Sequence, residues 1–317
     1  MNAFFDKLEI IIQRGQILRD EPLSKHTTFH IGGPCDFYVV AKSTEEFVHV
    51  IRLCKEEQVP CFIIGNGSNL LVADEGLTGV VLKLDEKVEE LTVEEKEDSM
   101  IVTACAGINL SNFAMKIANL SLTGFEFAAG IPGTLGGAIY MNAGAYGGEI
   151  KDCILSVRAV TKEGQIVNLN KEDLMLSYRS SSIQKSGYYI LNASFEFKKG
   201  DSIQIHAYIE DLNRQRREKQ PLEFPSAGST FKRPPGYFAG KLIMDAGLRG
   251  YCVGDAMISE KHCGFVINKG NATAKDVLQL LDDVQRIVKE KFGVTIEPEV
   301  KFISNEKAGS LKERGSQ

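Results

Sequence analysis

Two glycine-rich segments carry the first chemical signal in this chain. Gly65-Asn66-Gly67-Ser68-Asn69 follows the apolar run Cys61 to Ile64, and a longer segment runs from Gly130 to Gly148 as Gly-Ile-Pro-Gly-Thr-Leu-Gly-Gly-Ala-Ile-Tyr-Met-Asn-Ala-Gly-Ala-Tyr-Gly-Gly. Glycines let backbone N–H groups approach a diphosphate without a Cβ clash. One such segment alone is explained equally well by tight loop packing. Two of them, interleaved with the donors Ser68, Asn69, Thr134 and Asn142, point to the diphosphate of a dinucleotide. The candidate contacts are Gly65, Asn66, Gly67, Ser68, Asn69, Gly130, Gly133, Thr134, Gly136, Gly137, Asn142 and Gly144. The first segment is not a Rossmann fingerprint, because Leu70 stands at the third glycine position and a strand-and-turn pattern follows where a helix should begin. Nor does Gly236 to Lys241 have P-loop spacing, and Lys241 is followed by Leu242.

Other reactive residues carry less. His26 and His30 are four apart, a zinc spacing on a helix, but Thr27, Thr28, Phe29 and Ile31 favour an extended chain in which the two lie about 13 Å apart. No metal site is expected. The seven cysteines are scattered, with no C-x-x-C pair, and read as reduced, mostly buried thiols.

The elements that must position these groups follow from periodicity. Residues 4 to 14 place Phe4, Leu8, Ile11 and Ile12 on one helical face; Ser43 and Glu46 form a capping-box pattern opening a second helix, and a buried strand follows at 61 to 64. The start therefore reads β-α-β. Short β-rich runs are expected at 80–84, 88–93 and 100–106, a helix at 109–120, and strands at 153–161, 165–169 and 188–197. A helix at 203–218 ends before Pro221, and a helix-rich unit beyond it includes 273–291 between a Thr273/Asp276 cap and Gly293. Arg214, Arg216 and Arg217 share the 203–218 helix with Glu210, Asp211 and Glu218 and read mostly as a solvated face.

The expected fold class is α+β, in domains at 1–202 (two subdomains split near 58) and 203–303, with a disordered polar tail at 304–317. A net charge of −5 removes the positive field that would attract nucleic acid or anionic lipid, so any anion must be bound locally. With no basic-then-apolar leader and no apolar run of spanning length, the expected location is the cytoplasm. No obligate protein partner is evident.

Four further motifs, His26-Thr-Thr-Phe-His-Ile-Gly-Gly-Pro34, Tyr178-Arg179-Ser180-Ser181, Ala227-Gly-Ser-Thr-Phe-Lys232 and Glu297-Pro298-Glu299-Val300, flank the two glycine segments along the chain. Over nearly its whole length the chain resembles the UDP-N-acetylenolpyruvoylglucosamine reductase (UDP-N-acetylmuramate dehydrogenase) family. The resemblance implies a two-part FAD-binding domain of the vanillyl-alcohol-oxidase type, followed by an α+β substrate-binding domain. It also implies NADPH as hydride donor to FAD, and UDP-N-acetylglucosamine enolpyruvate as the acceptor, giving UDP-N-acetylmuramate for peptidoglycan precursors.

Residue roles are carried over from the same motifs. Arg179 matches the arginine that holds the substrate carboxylate, Ser229 the proton donor, and Glu299 the glutamate acting as acid or orienting group. Glu297 is then the neighbouring decoy, since the residue after the proline should point inward. Lys219, Lys232 and Tyr237 resemble residues that hold the substrate phosphates. Only eight residues separate Arg179 from the next strand at Tyr188, so the chain resembles the short-loop members, and Tyr188 and Tyr189 are not assigned a lid role. His30 stands where relatives carry another basic residue, and His262 fits a pocket wall and ordinary packing equally. Two other readings remain: an FAD-dependent oxidase that uses the same glycines but passes electrons to oxygen, which leaves Arg179, Ser229 and Glu299 without a common purpose, and a non-catalytic nucleotide-sugar sensor that keeps the fold without the flavin.

Overall fold

The computed structural model describes residues 2–13, 15–88 and 91–305. Most of the expected tail lies outside these residues. Ser304 and Asn305 are described: Ser304 is buried, and Asn305 Oδ1 accepts the Thr78 N–H at 2.8 Å.

Two compact units divide the chain. The first comprises Met1–Arg19, Phe37–Gly65 and Gly79–Arg216, and the second Asp20–Asp36, Asn66–Thr78 and Arg217–Gln317. These divisions differ from cuts near 58 and 202. Helix Thr44–Glu56 and the strands on both sides of residue 58 share one core with Phe113 and Phe195, so no boundary falls there, and helix Ser202–Lys219 buries Ile205 and Ile209 in that same core.

In the first unit, helix Asn2–Ile11 buries Phe4 and Leu8. Helix Thr44–Glu56 starts where Ser43 Oγ accepts the Glu46 N–H at 3.0 Å and the Glu46 carboxylate accepts the Lys42 N–H at 2.8 Å. One sheet has the order Gln16–Pro22, Pro34–Ala41, Leu77–Leu84, Cys61–Ile63. Leu77–Leu84 thus separates the two strands of the β-α-β pattern. The other sheet is antiparallel, in the order Ile166–Asn170, Ile154–Val160, Tyr189–Lys199, Ser99–Cys105, Thr92–Glu95, with Leu122–Thr123 paired to the end of Tyr189–Lys199. The strand expected at 88–93 lies instead at Thr92–Glu95, an exposed edge held by its hairpin to Ser99–Cys105.

The core of this unit is an aromatic cluster. The Phe113 ring lies 5.2 Å from that of Phe125 and 5.4 Å from that of Phe195, while Phe195 and Phe197 stack at 5.9 Å. Rings so arranged add edge-to-face attraction to their area burial.

The second unit is less helical than its sequence suggests. Strands Ser226–Ser229, Phe265–Asn268, Ala256–Ile258 and Cys252–Val253 form an antiparallel sheet, and Lys301–Ile303 pairs in parallel with Leu70–Val72. Strands of two to four residues interrupted by glycine are too short to show a period of two. Helix Ala274–Phe292 covers this core, begun by the reciprocal Thr273/Asp276 capping box and stopped at Gly293 with φ +67°. Asp74 adds a distant cap, accepting N–H bonds from Ala274 at 2.7 Å and Lys275 at 3.1 Å.

Phe113 is fully buried against three other rings, so Phe113→Ala should destabilise the protein by about 3–5 kcal/mol. Urea unfolding measures this, and a loss below about 1 kcal/mol would remove the aromatic cluster as the anchor of the first unit.

Candidate active site

Arg179 sits at the tip of a two-residue hairpin. Ser177 and Ser180 exchange both backbone hydrogen bonds, at 3.1 and 3.0 Å, leaving Tyr178 and Arg179 at the turn. Arg179 has φ +54°, the place in a type II turn that favours glycine or asparagine. A left-handed arginine costs about 1–2 kcal/mol, so its surroundings must hold it there. Gln184 Nε2 donates to the Arg179 carbonyl at 3.1 Å and to the Tyr140 carbonyl at 2.8 Å. The guanidinium donates through Nη2 to the Gly144 carbonyl at 3.1 Å and lies 5.3 Å from the Tyr178 ring centroid.

Asn142 is fully buried beside this hairpin. Its Nδ2 donates to the Ser177 carbonyl at 2.9 Å and to Glu149 Oε2 at 2.7 Å, and its Oδ1 accepts the Lys151 N–H at 3.0 Å. With both amide hydrogens spent on the chain, its side chain has no donor left for the dinucleotide contact expected from the sequence.

In the second unit, a bulge aims Ser229. Ser226 pairs with Ile267 and Ser229 with Phe265, so Ala227 and Gly228 together oppose Val266, and Gly228 takes up the extra step at φ +75°. Ser229 is exposed. Next to it, the Thr230 carbonyl accepts the Glu299 N–H at 2.7 Å and Phe231 bridges to Pro298, which brings Glu299 alongside the serine strand. Glu299 is buried; Glu297 is exposed and ion-pairs with Lys232 at 3.2 Å. Asn69 Nδ2 donates to the Glu299 carbonyl at 3.2 Å, and the Asn69 carbonyl accepts the Lys301 N–H at 2.9 Å. Part of the first glycine segment is therefore bonded to the glutamate strand.

The remaining candidates are scattered around this second unit. Lys219 is exposed at the end of helix Ser202–Lys219, and Tyr237 is exposed after the Pro234 turn. His262 Nδ1 accepts the Gly264 N–H at 3.1 Å, and its ring meets Phe265, the partner of Ser229, edge-on at 5.1 Å. Burial pushes its pKa below the usual histidine value, and it stays neutral with the proton on Nε2. The His26 to His30 stretch is not extended: Leu23–His26 is a 3-10 turn, and the His30 N–H bonds back to the Thr27 carbonyl at 3.2 Å. His26 is engaged with Glu21 at 3.0 Å, and the exposed His30 has φ +56°. Burial raises the Cys35 and Cys153 thiols to about 12, which keeps them protonated.

The glycines separate into those that pack and those with room beside them. A Cβ on Gly65 would meet Thr134 Oγ1 at 2.4 Å, joining the starts of the two segments, and one on Gly67, at φ +61°, would meet the His26 carbonyl oxygen at 2.4 Å. Gly136 is close to the Ala106 Cβ at 2.9 Å, whereas a Cβ on Gly137 would find only Thr134 Oγ1, at 3.5 Å. The N–H groups of Leu135, Gly136 and Gly137 are taken by Ile108, Ala106 and the Thr134 hydroxyl. Those of Gly67 and Ser68 make no backbone bond among the described residues.

Two buried side-chain atoms lack a partner among the described residues, Tyr140 Oη and Arg216 Nε, and both border the Gly130–Gly148 segment. This corrects the reading of Arg216 as part of a solvated face. It continues the buried stripe Ile205, Ile209, Leu212, bonds through Nη1 to the Gly130 carbonyl, and lies 5.6 Å from the Tyr146 ring centroid. Burial pulls its pKa below the ordinary arginine value. Buried donors without a partner among the described residues fit a polar ligand such as the flavin dinucleotide.

Fold and site together define an FAD-binding oxidoreductase: residues 35–170 match the model of an FAD binding domain. Residues 220–303 match the C-terminal domain of UDP-N-acetylenolpyruvoylglucosamine reductase. The reductase of that name from Lachnoclostridium phytofermentans is 64% identical over 302 residues, covering 95% of this chain and 97% of the relative. The one from Caldanaerobacter subterraneus subsp. tengcongensis is 49% identical over 298 residues, covering 94% and 97%. The crystal structure of the reductase from Thermus caldophilus superposes with a TM-score of 0.76 at 33% identity, covering 92% of this chain and 99% of that one. The chain belongs to the UDP-N-acetylenolpyruvoylglucosamine reductase family.

Gly137→Ala separates packing from ligand approach, because the chain itself leaves room for the methyl group. The apoprotein should keep its stability within about 1 kcal/mol, alanine being the better helix residue, while the flavin-to-protein ratio after purification falls. Full flavin content in this variant would remove Gly137 from the cofactor contacts.

Proposed function

We propose that Arg179, Ser229 and Glu299 carry the chemistry of this chain, an FAD- and NADPH-dependent reductase of UDP-N-acetylglucosamine enolpyruvate that forms UDP-N-acetylmuramate for peptidoglycan precursors. The observation that carries the reading is likeness to reductases of this name along more than nine-tenths of the chain.

When bound, FAD supplies the hydride relay from NADPH to the enolpyruvyl double bond. The chain's own residues bind, orient and protonate. Arg179 offers the planar fork that holds the substrate carboxylate, and its fixed charge stabilises the enolate-like charge that develops there. The Ser229 hydroxyl, a weak acid, protonates the adjacent carbon only because that centre becomes strongly basic in the same step. Glu299, tied by its N–H to the residue after Ser229, acts as acid or orienting group. Lys219, Lys232 and Tyr237 hold the substrate phosphates, Lys232 exchanging its Glu297 partner for phosphate oxygens.

Cofactor contacts fall to Gly65 through Asn69 and to Gly130, Gly133, Thr134, Gly136, Gly137 and Gly144; Asn142, whose amide and N–H are bonded within the chain, drops out of this set. The FAD-binding role belongs to residues up to about 216 and the substrate-binding role to 217–303, since helix Ser202–Lys219 packs largely in the first core. No helix among the described residues is long and apolar enough to cross a membrane. The reaction is placed in the cytoplasm.

Under anaerobic conditions the yellow protein should bleach with NADPH and regain its colour when the enolpyruvyl nucleotide is added. Bleaching without recovery would contradict the substrate assignment. Ser229→Ala should leave flavin reduction within about twofold and slow the recovery step by about 100-fold or more. Unchanged recovery would remove Ser229 as the proton donor.

A further inference from the structure

The geometry points to Asn142 and Gln184 as positioning residues for Arg179, holding its strained hairpin from two sides. This inference rests on Arg179 acting in the recovery step, and it moves Asn142 from the flavin's contacts to the substrate's. The argument begins in the backbone. Helix Leu135–Tyr140 ends in a Schellman turn: the Ala143 N–H bonds to the Ala138 carbonyl at 2.8 Å and the Asn142 N–H to the Ile139 carbonyl at 3.0 Å. Asn142 is the left-handed residue of that turn, at φ +41°, a conformation asparagine tolerates. Glycine would serve the turn as well. The side chain is therefore not needed to end the helix, yet it is fully buried and makes three hydrogen bonds.

One of those bonds reaches Ser177, the residue that closes the hairpin under Tyr178 and Arg179. Two residues beyond Asn142, the Gly144 carbonyl accepts Arg179 Nη2. The same short stretch thus fixes both the base of the hairpin and the guanidinium at its tip. Gln184 fixes the main chain between them through the Arg179 carbonyl and anchors to Tyr140, on the helix that Asn142 terminates, where the Ser181 hydroxyl also bonds at 2.7 Å. The left-handed Arg179 is held at its carbonyl, at its side chain and at its closing residue.

Asn142→Gly keeps the backbone conformation and deletes only the side-chain bonds; Gln184→Met deletes the second tie without touching the turn. Each variant is taken through both half-reactions anaerobically, alone and combined with Arg179→Ala. The expected result is flavin content and NADPH reduction within about twofold of the parent, with recovery by the enolpyruvyl nucleotide slowed between about 10- and 100-fold. Added to Arg179→Ala, either change should slow recovery no further, because its effect passes through the missing arginine. Equal slowing of both half-reactions, unchanged recovery, or full additivity with Arg179→Ala would each overturn the positioning role. If Arg179→Ala itself left recovery unchanged, the assignment of Arg179 would fall first and this inference with it.

Discussion

The hydrogen bond from the Glu299 N–H to the Thr230 carbonyl, 2.7 Å long, is the tie on which the second unit's site depends. Glu299 and Ser229 are seventy residues apart in sequence, and this bond, with the Phe231–Pro298 bridge and the Lys232 N–H to Glu297 carbonyl bond at 2.8 Å, lays their two segments side by side. The same glutamate residue accepts Asn69 Nδ2 at its carbonyl, which fastens the first glycine segment to the strand Lys301–Ile303. Three distant pieces of chain converge on one residue's main chain. Its side chain is buried, while its main chain is what these contacts fix.

The first unit meets a different constraint. Its critical side chain stands on a backbone conformation that its residue type disfavours, so order must come from neighbours rather than from propensity. Arg179 at φ +54° and Asn142 at φ +41° stabilise each other's surroundings through Ser177 and Gly144. A hairpin of only two residues leaves little slack, and each bond to it transmits directly to the guanidinium. The long Gly130–Gly148 segment consequently does two jobs: its early part leaves room beside Gly137, and its later residues brace the arginine.

Much of this was legible because it is local. The Ser43 and Thr273 caps, the Gly293 stop and the alternation of the long strands are encoded within a few residues, and each lies where its pattern places it. Glu299 was separable from Glu297 by its place in the family motif at the start of the last strand, not by alternation, which would put residues two apart on one face; the structure buries Glu299 and exposes Glu297. What was lost is non-local. The sheet around Ser229 is made of strands too short for periodicity, and the Gly228 bulge becomes visible only when Ser226 and Ser229 are paired with Ile267 and Phe265. Gln184 has no signal at all, because its partners are carbonyls that any sequence would supply. Arg216 did have one: it falls at helical spacing on the stripe Ile205, Ile209, Leu212, and its charge outweighed its position.

Arg216 also bears on how an acidic chain binds anions. With a net charge of −5, attraction by a general field is absent, and recognition must come from a few charges and dipoles fixed in place. An exposed lysine gives only a screened charge. A guanidinium buried against Gly130 and Tyr146 costs desolvation, which shows in its lowered pKa, and it repels any neighbouring cation. In exchange its direction is set before a ligand arrives, and a charge in a low-dielectric setting acts more strongly on whatever polar group comes beside it. Replacing Arg216 by an apolar residue would take that fixed positive charge away from Gly130 and Tyr146.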